Sequence, residues 1–375
     1  MNFQAHMDEL TLADAAAFRA LAGRLRAMPE REPSEGLTDR ILAAVDAERN
    51  RKRPRFRAPS PWWGIAAAAA LVAAAFLFYA EGPSRGVLVA TASDPASGLT
   101  WLAANQETDG TWSPSKHGGA EVYRPALTAL SALALDRDGR SESAARVDRA
   151  CAALVAMQGA DGTFGGSGRA CLYNHAITAF ALATLYPRHP ALRPTLERSL
   201  AFVAARQTAQ GGWDYEPGSE GNAAITAWQV RALACAEAQG FDAAKTPLRK
   251  GLRWLRDSAR DDGSIAYHRD SSAHSDGLTA LAAYALITAG KDFPGLSELG
   301  RHVAGSLREA PDASATADCY RDYAKVLAFE SAGASARAEA VRRQMQAYQK
   351  AAQPDQWGSV GGKLYTAAFA VLSAR

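Results

Sequence analysis

The sequence predicts an all-α fold in which six helix-pair repeats close into an α/α toroid, preceded by a single transmembrane helix and a short helical N-terminal tail. Three observations carry this expectation. First, a Gln, a Gly-containing turn and an aromatic recur as "QETDGTW" at Gln106–Trp112, "QGADGTF" at Gln158–Phe164 and "QTAQGGW" at Gln207–Trp213. A spacing of about fifty residues marks stacked supersecondary units. Second, each turn is followed by a helix rich in Ala, Leu and Thr. Third, an uncharged stretch, "WWGIAAAAALVAAAFLFYA", runs from Trp62 to Ala80 behind a basic cluster.

Residues 1–61 read as a cytoplasmic tail of short amphipathic helices. Phe18, Leu21, Leu25 and Met28 fall on one stripe, and Leu37, Ile41, Leu42 and Val45 on another, with Pro33 to Gly36 breaking the pattern between them. Arg49, Arg51, Lys52, Arg53, Arg55 and Arg57 then precede the apolar stretch 62–80. As a helix that stretch would be roughly 28 Å long, enough for a bilayer core. Its terminal Trp and Tyr residues suit the interfaces, and the upstream cations place the N-terminus inside. A buried helix is the competing reading. The expected localisation is therefore the inner membrane, single-pass, with everything beyond residue 80 outside (periplasmic). Residues 81–97 read as a linker, and the toroid occupies 98–375.

Within the toroid each unit has the same parts. A first helix ends near the Gln, as in "GLTWLAANQ", "ACAALVAMQ" and "SLAFVAARQ". A turn follows: Asp109-Gly110, Asp161-Gly162, Gly211-Gly212 and Asp262-Gly263. A second helix closes the unit, with Thr128, Thr178, Thr226, Thr279, Ala324 and Thr366 at one register. Small residues suit the second helices to a close-packed inner ring. Trp101, Phe202 and Trp254 place the first helices outside. A linear solenoid uses similar pairs, so ring closure is an expectation.

The Gln and the Asp-Gly turn resemble the repeats of squalene-hopene cyclases and of protein prenyltransferase β-subunits, over about three quarters of the chain. The terminal "DQWGSVGGKLYTAAFAVL" is similar to the way such repeats end. The resemblance implies that Gln106, Asp109, Gly110, Trp112, Gln158, Asp161, Gly162, Phe164, Gln207, Gly212 and Trp213 tie helix ends to turns and belong to the fold. The tail, its Arg-rich exit and one span resemble membrane-anchored anti-sigma factors, most of all in "EPSEGLTDRILAAVDAER". That resemblance implies a sigma factor as partner. The zinc-binding His and Cys cluster of that family has no counterpart, because no Cys precedes Cys151.

The chemistry of the toroid families is incompletely represented. Cyclases protonate their substrate from a DxDD motif, and none occurs here; Asp136-Arg-Asp138 and Asp261-Asp262 come nearest and read as exposed turns. Prenyltransferases hold zinc with Asp, Cys and His. Asp318 and Cys319 are adjacent, where that family has a residue between them, and no His follows His302. Cys151, Cys171, Cys235 and Cys319 include no CxxC pair, so no metal and no cofactor is expected. Cys151 and Cys319 read as core thiols, with a Cys151–Cys171 pairing left open. A net charge of +3 on 375 residues argues against a nucleic-acid partner.

What remains is a polar rim where the inner helices start. Arg124, Tyr173, His175, His274, Asp276, Asp318, Tyr320, Arg321, Lys363 and Tyr365 are the candidate ligand-binding residues. Helix N-termini there would favour an anionic head. The competing reading is that helix starts are polar for capping. An Asp276–Asp318 carboxylate pair is a further candidate for acid–base chemistry. The expected function is a membrane-anchored binding or sensing toroid for an apolar small molecule or a peptide, without catalysis. The alternative is an isoprenoid enzyme of the cyclase or prenyltransferase kind.

Overall fold

The computed structural model describes residues 95–374 except 167, 169, 216–218, 309–316 and 351–357. These residues form twelve α-helices, four single-turn 3-10 helices and no β-strand. In chain order they are α1 (Pro95–Ala104), α2 (Arg124–Asp136), α3 (Ser141–Met157), α4 (Ala170–Leu185), α5 (Arg193–Ala205), α6 (Ala223–Ala238), α7 (Lys245–Asp257), α8 (Asp276–Ala289), α9 (Leu296–Ser306), α10 (Cys319–Ser331), α11 (Ser335–Lys350) and α12 (Gly358–Ser373).

The even-numbered helices form the inner ring. Each packs on the next, from α2 through α4, α6, α8 and α10 to α12, and α12 returns to α2. The ring is therefore closed. Composition explains which helices go inside: α4, α6 and α8 are apolar nearly all round, and such helices are stable only when buried on every side. The outer helices α3, α5, α7, α9 and α11 pack on α2, α4, α6, α8 and α10, and α1 packs on α12. The first outer helix thus covers the last inner one.

The recurrent turn is a latch with three parts. The Gln158 amide donates to the carbonyl of Gly162 in its own turn (3.0 Å), and to Thr195 O (2.9 Å) and Ser199 Oγ (3.0 Å) on the next outer helix. Gln106 makes the same reach to Gly110 O and Arg146 O, and Gln207 to Gly211 O and Pro247 O. The second part is Gly110, at φ 86°, where a Cβ would lie 2.4 Å from the Arg149 carbonyl oxygen. Positive φ and this close approach leave room only for glycine. The third is the aromatic: Trp112 and Trp213 are wholly buried and donate their indole N–H to Leu102 O and Val203 O, both at 2.8 Å. The repeated Thr has the same origin, since the Thr128 and Thr226 hydroxyls accept from the Trp112 and Trp213 backbone N–H groups.

The single-pass membrane localisation is corrected. No helix among the described residues is long and apolar enough to cross a membrane. The most apolar helices run only 14–16 residues, and the ring itself satisfies their apolar faces. The stretch 62–80 on which the expectation rested, the tail 1–61 and its anti-sigma resemblance lie outside the described residues. The four cysteines are free thiols, so the Cys151–Cys171 pairing is not formed.

Candidate functional site

Four tyrosines meet where inner helices begin. Tyr123 immediately precedes α2, Tyr173 lies in the first turn of α4, Tyr320 in that of α10, and Tyr365 follows the kink at Gly362 in α12. They surround the mouth of a cavity inside the ring that encloses about 620 Å³ of empty space, open mouth included. Below the mouth one wall is aliphatic, from Ala126, Leu127, Leu130 and Ile177, and the other is aromatic, from Trp228 and Phe369. Ring centroids step along the aromatic wall from Trp228 to Tyr320 (6.4 Å), Tyr320 to Phe369 (6.0 Å) and Phe369 to Tyr365 (4.7 Å). Neither a cation nor a carboxylate lines the cavity among the described residues.

A second layer of phenols stands behind the first. Tyr215, in the turn before α6, is hydrogen-bonded to both Tyr173 and Tyr267, and its ring lies 5.9 Å from that of Tyr173. Burial pushes the hydroxyls of Tyr173, Tyr215 and Tyr320 above the ordinary phenol value, and the neighbouring phenols add to this. They are therefore neutral groups that both donate and accept. The loop carrying Tyr215 is fixed by Asp214, whose carboxylate accepts from the Asn222 side chain at 2.8 Å.

Of the ten candidate rim residues, the cavity gathers Tyr173, Tyr320 and Tyr365. The other seven are engaged elsewhere. Arg124 bonds to Glu121 and to Thr111 Oγ1. Arg321 pairs with Asp322 at 2.8 Å. Lys363 stands over the Trp101 ring, 4.9 Å from its centroid. His274 is exposed and faces Ser272 O. Asp318 caps α10 by accepting from Arg321 N at 3.0 Å, and Asp276 pairs with Lys325 at 2.6 Å. Each carboxylate of the candidate acid–base pair thus has its own structural partner. His175 is fully buried between inner and outer layers, against Ser199 O at 3.1 Å and between Phe164 and Phe202. Burial lowers its pKa to about 4.

The sequence reading missed the buried charges of the inner ring. Arg231 of α6 lies against Phe180, Trp228, Tyr284 and Tyr323, 3.9–5.4 Å from their centroids, and donates to the Tyr323 hydroxyl. Lys325 is wholly buried in α10. The available signal was a cation inside an apolar stretch of each second helix, Arg231 in "AITAWQVRALA" and Lys325 in "YAKVLAF".

Comparison with known proteins follows this geometry. Residues 86–263 and 169–303 match the model of the prenyltransferase alpha-alpha toroid domain. Drimenyl diphosphate synthase from Streptomyces showdoensis is 32% identical over 177 residues, which are 46% of this chain and 32% of that protein. The match thus spans about a third of the length of that curated relative. The GH76A alpha-1,6-mannanase from Salegentibacter sp. HEL1_6 superposes with a TM-score of 0.57 at 13% identity, covering 75% of this chain and 97% of that one. The unsaturated glucuronyl hydrolase specific for heparin does so with a TM-score of 0.56 at 13% identity, covering 76% and 94%. Likeness at this identity shows the fold alone. Because the two family matches together run from residue 86 to residue 303, more than half the chain, this protein belongs to the family of the prenyltransferase alpha-alpha toroid domain.

Proposed function

We propose that the toroid is a binding module for an apolar, isoprenoid-like molecule, held with its chain in the ring interior and its head at the tyrosine mouth. The observation that carries this reading is the cavity: aliphatic on one side, aromatic on the other, and polar only at its entrance. Such a lining favours a flexible hydrocarbon over a sugar, which needs several buried polar partners. The family match and the terpenoid relative support the same class of ligand. A peptide laid across the mouth would bury little of the space beneath it.

The test is calorimetric titration with a C15 prenyl alcohol and the corresponding diphosphate. Ile177 lines the aliphatic wall, so Ile177→Trp fills the chain site. Binding of at least one probe to the wild type, and at least tenfold weaker binding to Ile177→Trp with an unchanged fold, is the expected result. If no prenyl chain binds, or Ile177→Trp binds as well as the wild type, the reading fails.

The isoprenoid-enzyme reading is kept because the relative is a terpenoid synthase by name. The aromatic wall could stabilise a carbocation through ring faces. A cyclase would also need an acid at the cavity, and no carboxylate lines it among the described residues. Recovery of a cyclised product from the prenyl diphosphate incubation would favour this reading over binding alone.

A further inference from the structure

We infer that the head group recognised at the cavity mouth is an uncharged oxygen function, a hydroxyl or carbonyl, and that a diphosphate or carboxylate is disfavoured there. This rests on the preceding reading that the cavity holds an apolar chain. Three features of the mouth point the same way.

The first is the side chains that reach the entrance. Tyr123, Tyr173, Tyr320 and Tyr365 line it, and Tyr215 extends the hydroxyl network behind Tyr173. A phenol offers one donor and acceptor lone pairs, which matches an alcohol or a carbonyl. It offers no countercharge.

The second is where the nearby cations go. Arg124 is engaged by Glu121 and Thr111, Arg321 by Asp322, and Lys363 by the face of Trp101. None lines the cavity. Arg231, behind the Trp228 wall, is committed to the Tyr323 hydroxyl and the ring faces around it, so an anionic head drawn into the mouth would lose its water without gaining a cation at the entrance, and an unpaired buried charge is strongly disfavoured.

The third is the state of the helix starts. Converging N-termini attract anions only when their N–H groups are unoccupied. Here Ile225 N is capped by Asn222, Leu278 N by Ser275, and Arg321 N by Asp318. In α2, Pro125 has no N–H to give, and Ala126 N donates to Asn174 Oδ1.

The experiment compares three C15 probes of one chain length at one ionic strength: the prenyl alcohol, the prenyl diphosphate and the hydrocarbon. The alcohol is expected to bind at least tenfold more tightly than the diphosphate. Tyr173→Phe and Tyr320→Phe, which keep the rings, are expected to weaken the alcohol about five- to tenfold each and to leave the hydrocarbon unchanged. A diphosphate that binds as tightly as the alcohol overturns the inference while leaving the chain-binding reading intact. So does an alcohol affinity unmoved by both Phe substitutions. If none of the three probes binds, the chain-binding reading itself falls and this inference falls with it.

Discussion

His175 shows how a residue that reads as a rim ligand serves the interior. It stands three residues before the repeated Thr, where a ring-facing helix start was expected. A helix has two faces, and this position faces the outer layer. There the ring is clamped between Phe164 and Phe202, and Nε2 lies 3.1 Å from the Ser199 carbonyl. The carbonyl can only accept, so Nε2 carries the proton of a neutral imidazole. The opposite nitrogen, Nδ1, is buried without a partner. A second proton would therefore be unsolvated, and burial accordingly lowers the pKa from 6.5 to about 4. In the unfolded chain the imidazole takes up a proton as pH falls below 6.5, while the folded chain does not until about 4. The unfolded state binds more protons in that window, so stability falls with pH across it, by about 3 kcal/mol in all. Urea denaturation of the wild type and of His175→Gln between these pH values should show that loss in the wild type and its disappearance in the variant. Parallel stability curves for the two proteins would mean that His175 titrates normally. Cys151 behaves similarly: burial, with help from Asp148 and Asp136, pushes its thiol to about 12, which leaves it an unreactive core group.

At the scale of the element, the latch between turn and outer helix determines what could be read in advance. Gln158 bonds Gly162, four residues on, and Thr195 and Ser199 on the following outer helix, and its carbonyl accepts from Arg198 at 2.8 Å. Gln158→Ala leaves the Gly162 carbonyl short of a donor in a partly buried seam and cuts the tie to Thr195 and Ser199, whose own hydroxyl–carbonyl bond remains. A loss of about 2–4 kcal/mol is expected, seen as a lower urea midpoint with an unchanged slope; a midpoint equal to that of the wild type would show that water replaces the amide without cost. Because the Gln, the turn glycine and the aromatic of the latch lie within seven residues of one another, the first three units were legible from the chain alone, although the carbonyls that the Gln reaches on the next outer helix were not. Unit four lacks the Gln: Ala259 stands at its position, four residues before Gly263, although Asp262 still accepts from Ser264 N and Thr279 still receives Ile265 N. Its resemblance is correspondingly weaker in sequence and undiminished in architecture. The candidate site followed the opposite rule. Three of its tyrosines were found because helix starts gather in a ring. The cations Arg124, Arg321 and Lys363 stand, like those tyrosines, within the five residues before the repeated Thr or Ala position, and side-chain direction and the proximity of Glu121, Asp322 and Trp101 separate them. That information depends on the closed tertiary structure, as does the burial of Arg231 and Lys325 inside apolar helices.

For the whole molecule, closure decides whether the repeats behave as an array or as one body. In an open solenoid each unit touches only its neighbours, and damage at one end stays there. Here the last inner helix packs on the first, and the seam has its own fastenings. Arg137, beyond the end of α2, donates to Leu372 O (2.6 Å) and Ala374 O (2.9 Å) at the end of α12. At the other end Gly362, at φ 62°, lies so close to the first turn that a Cβ would be 2.2 Å from the His117 carbonyl oxygen. Both terms act against a side chain: the backbone is in the left-handed region, and the space is occupied by main chain that cannot swing aside. Gly362→Ala should therefore open the seam and cost several kcal/mol. The site of the lesion is less informative than where its effect appears. In a closed ring α6 and α8 lie opposite the seam, yet they depend on it, because opening the ring at α12 exposes edges that every inner helix helps to bury. Hydrogen exchange in Gly362→Ala should then rise in α6 and α8 as well as in α1, α2 and α12, with denaturation remaining a single transition. Faster exchange confined to α1, α2 and α12 would show that the units are energetically independent, and that ring closure organises the cavity without making the toroid one cooperative unit.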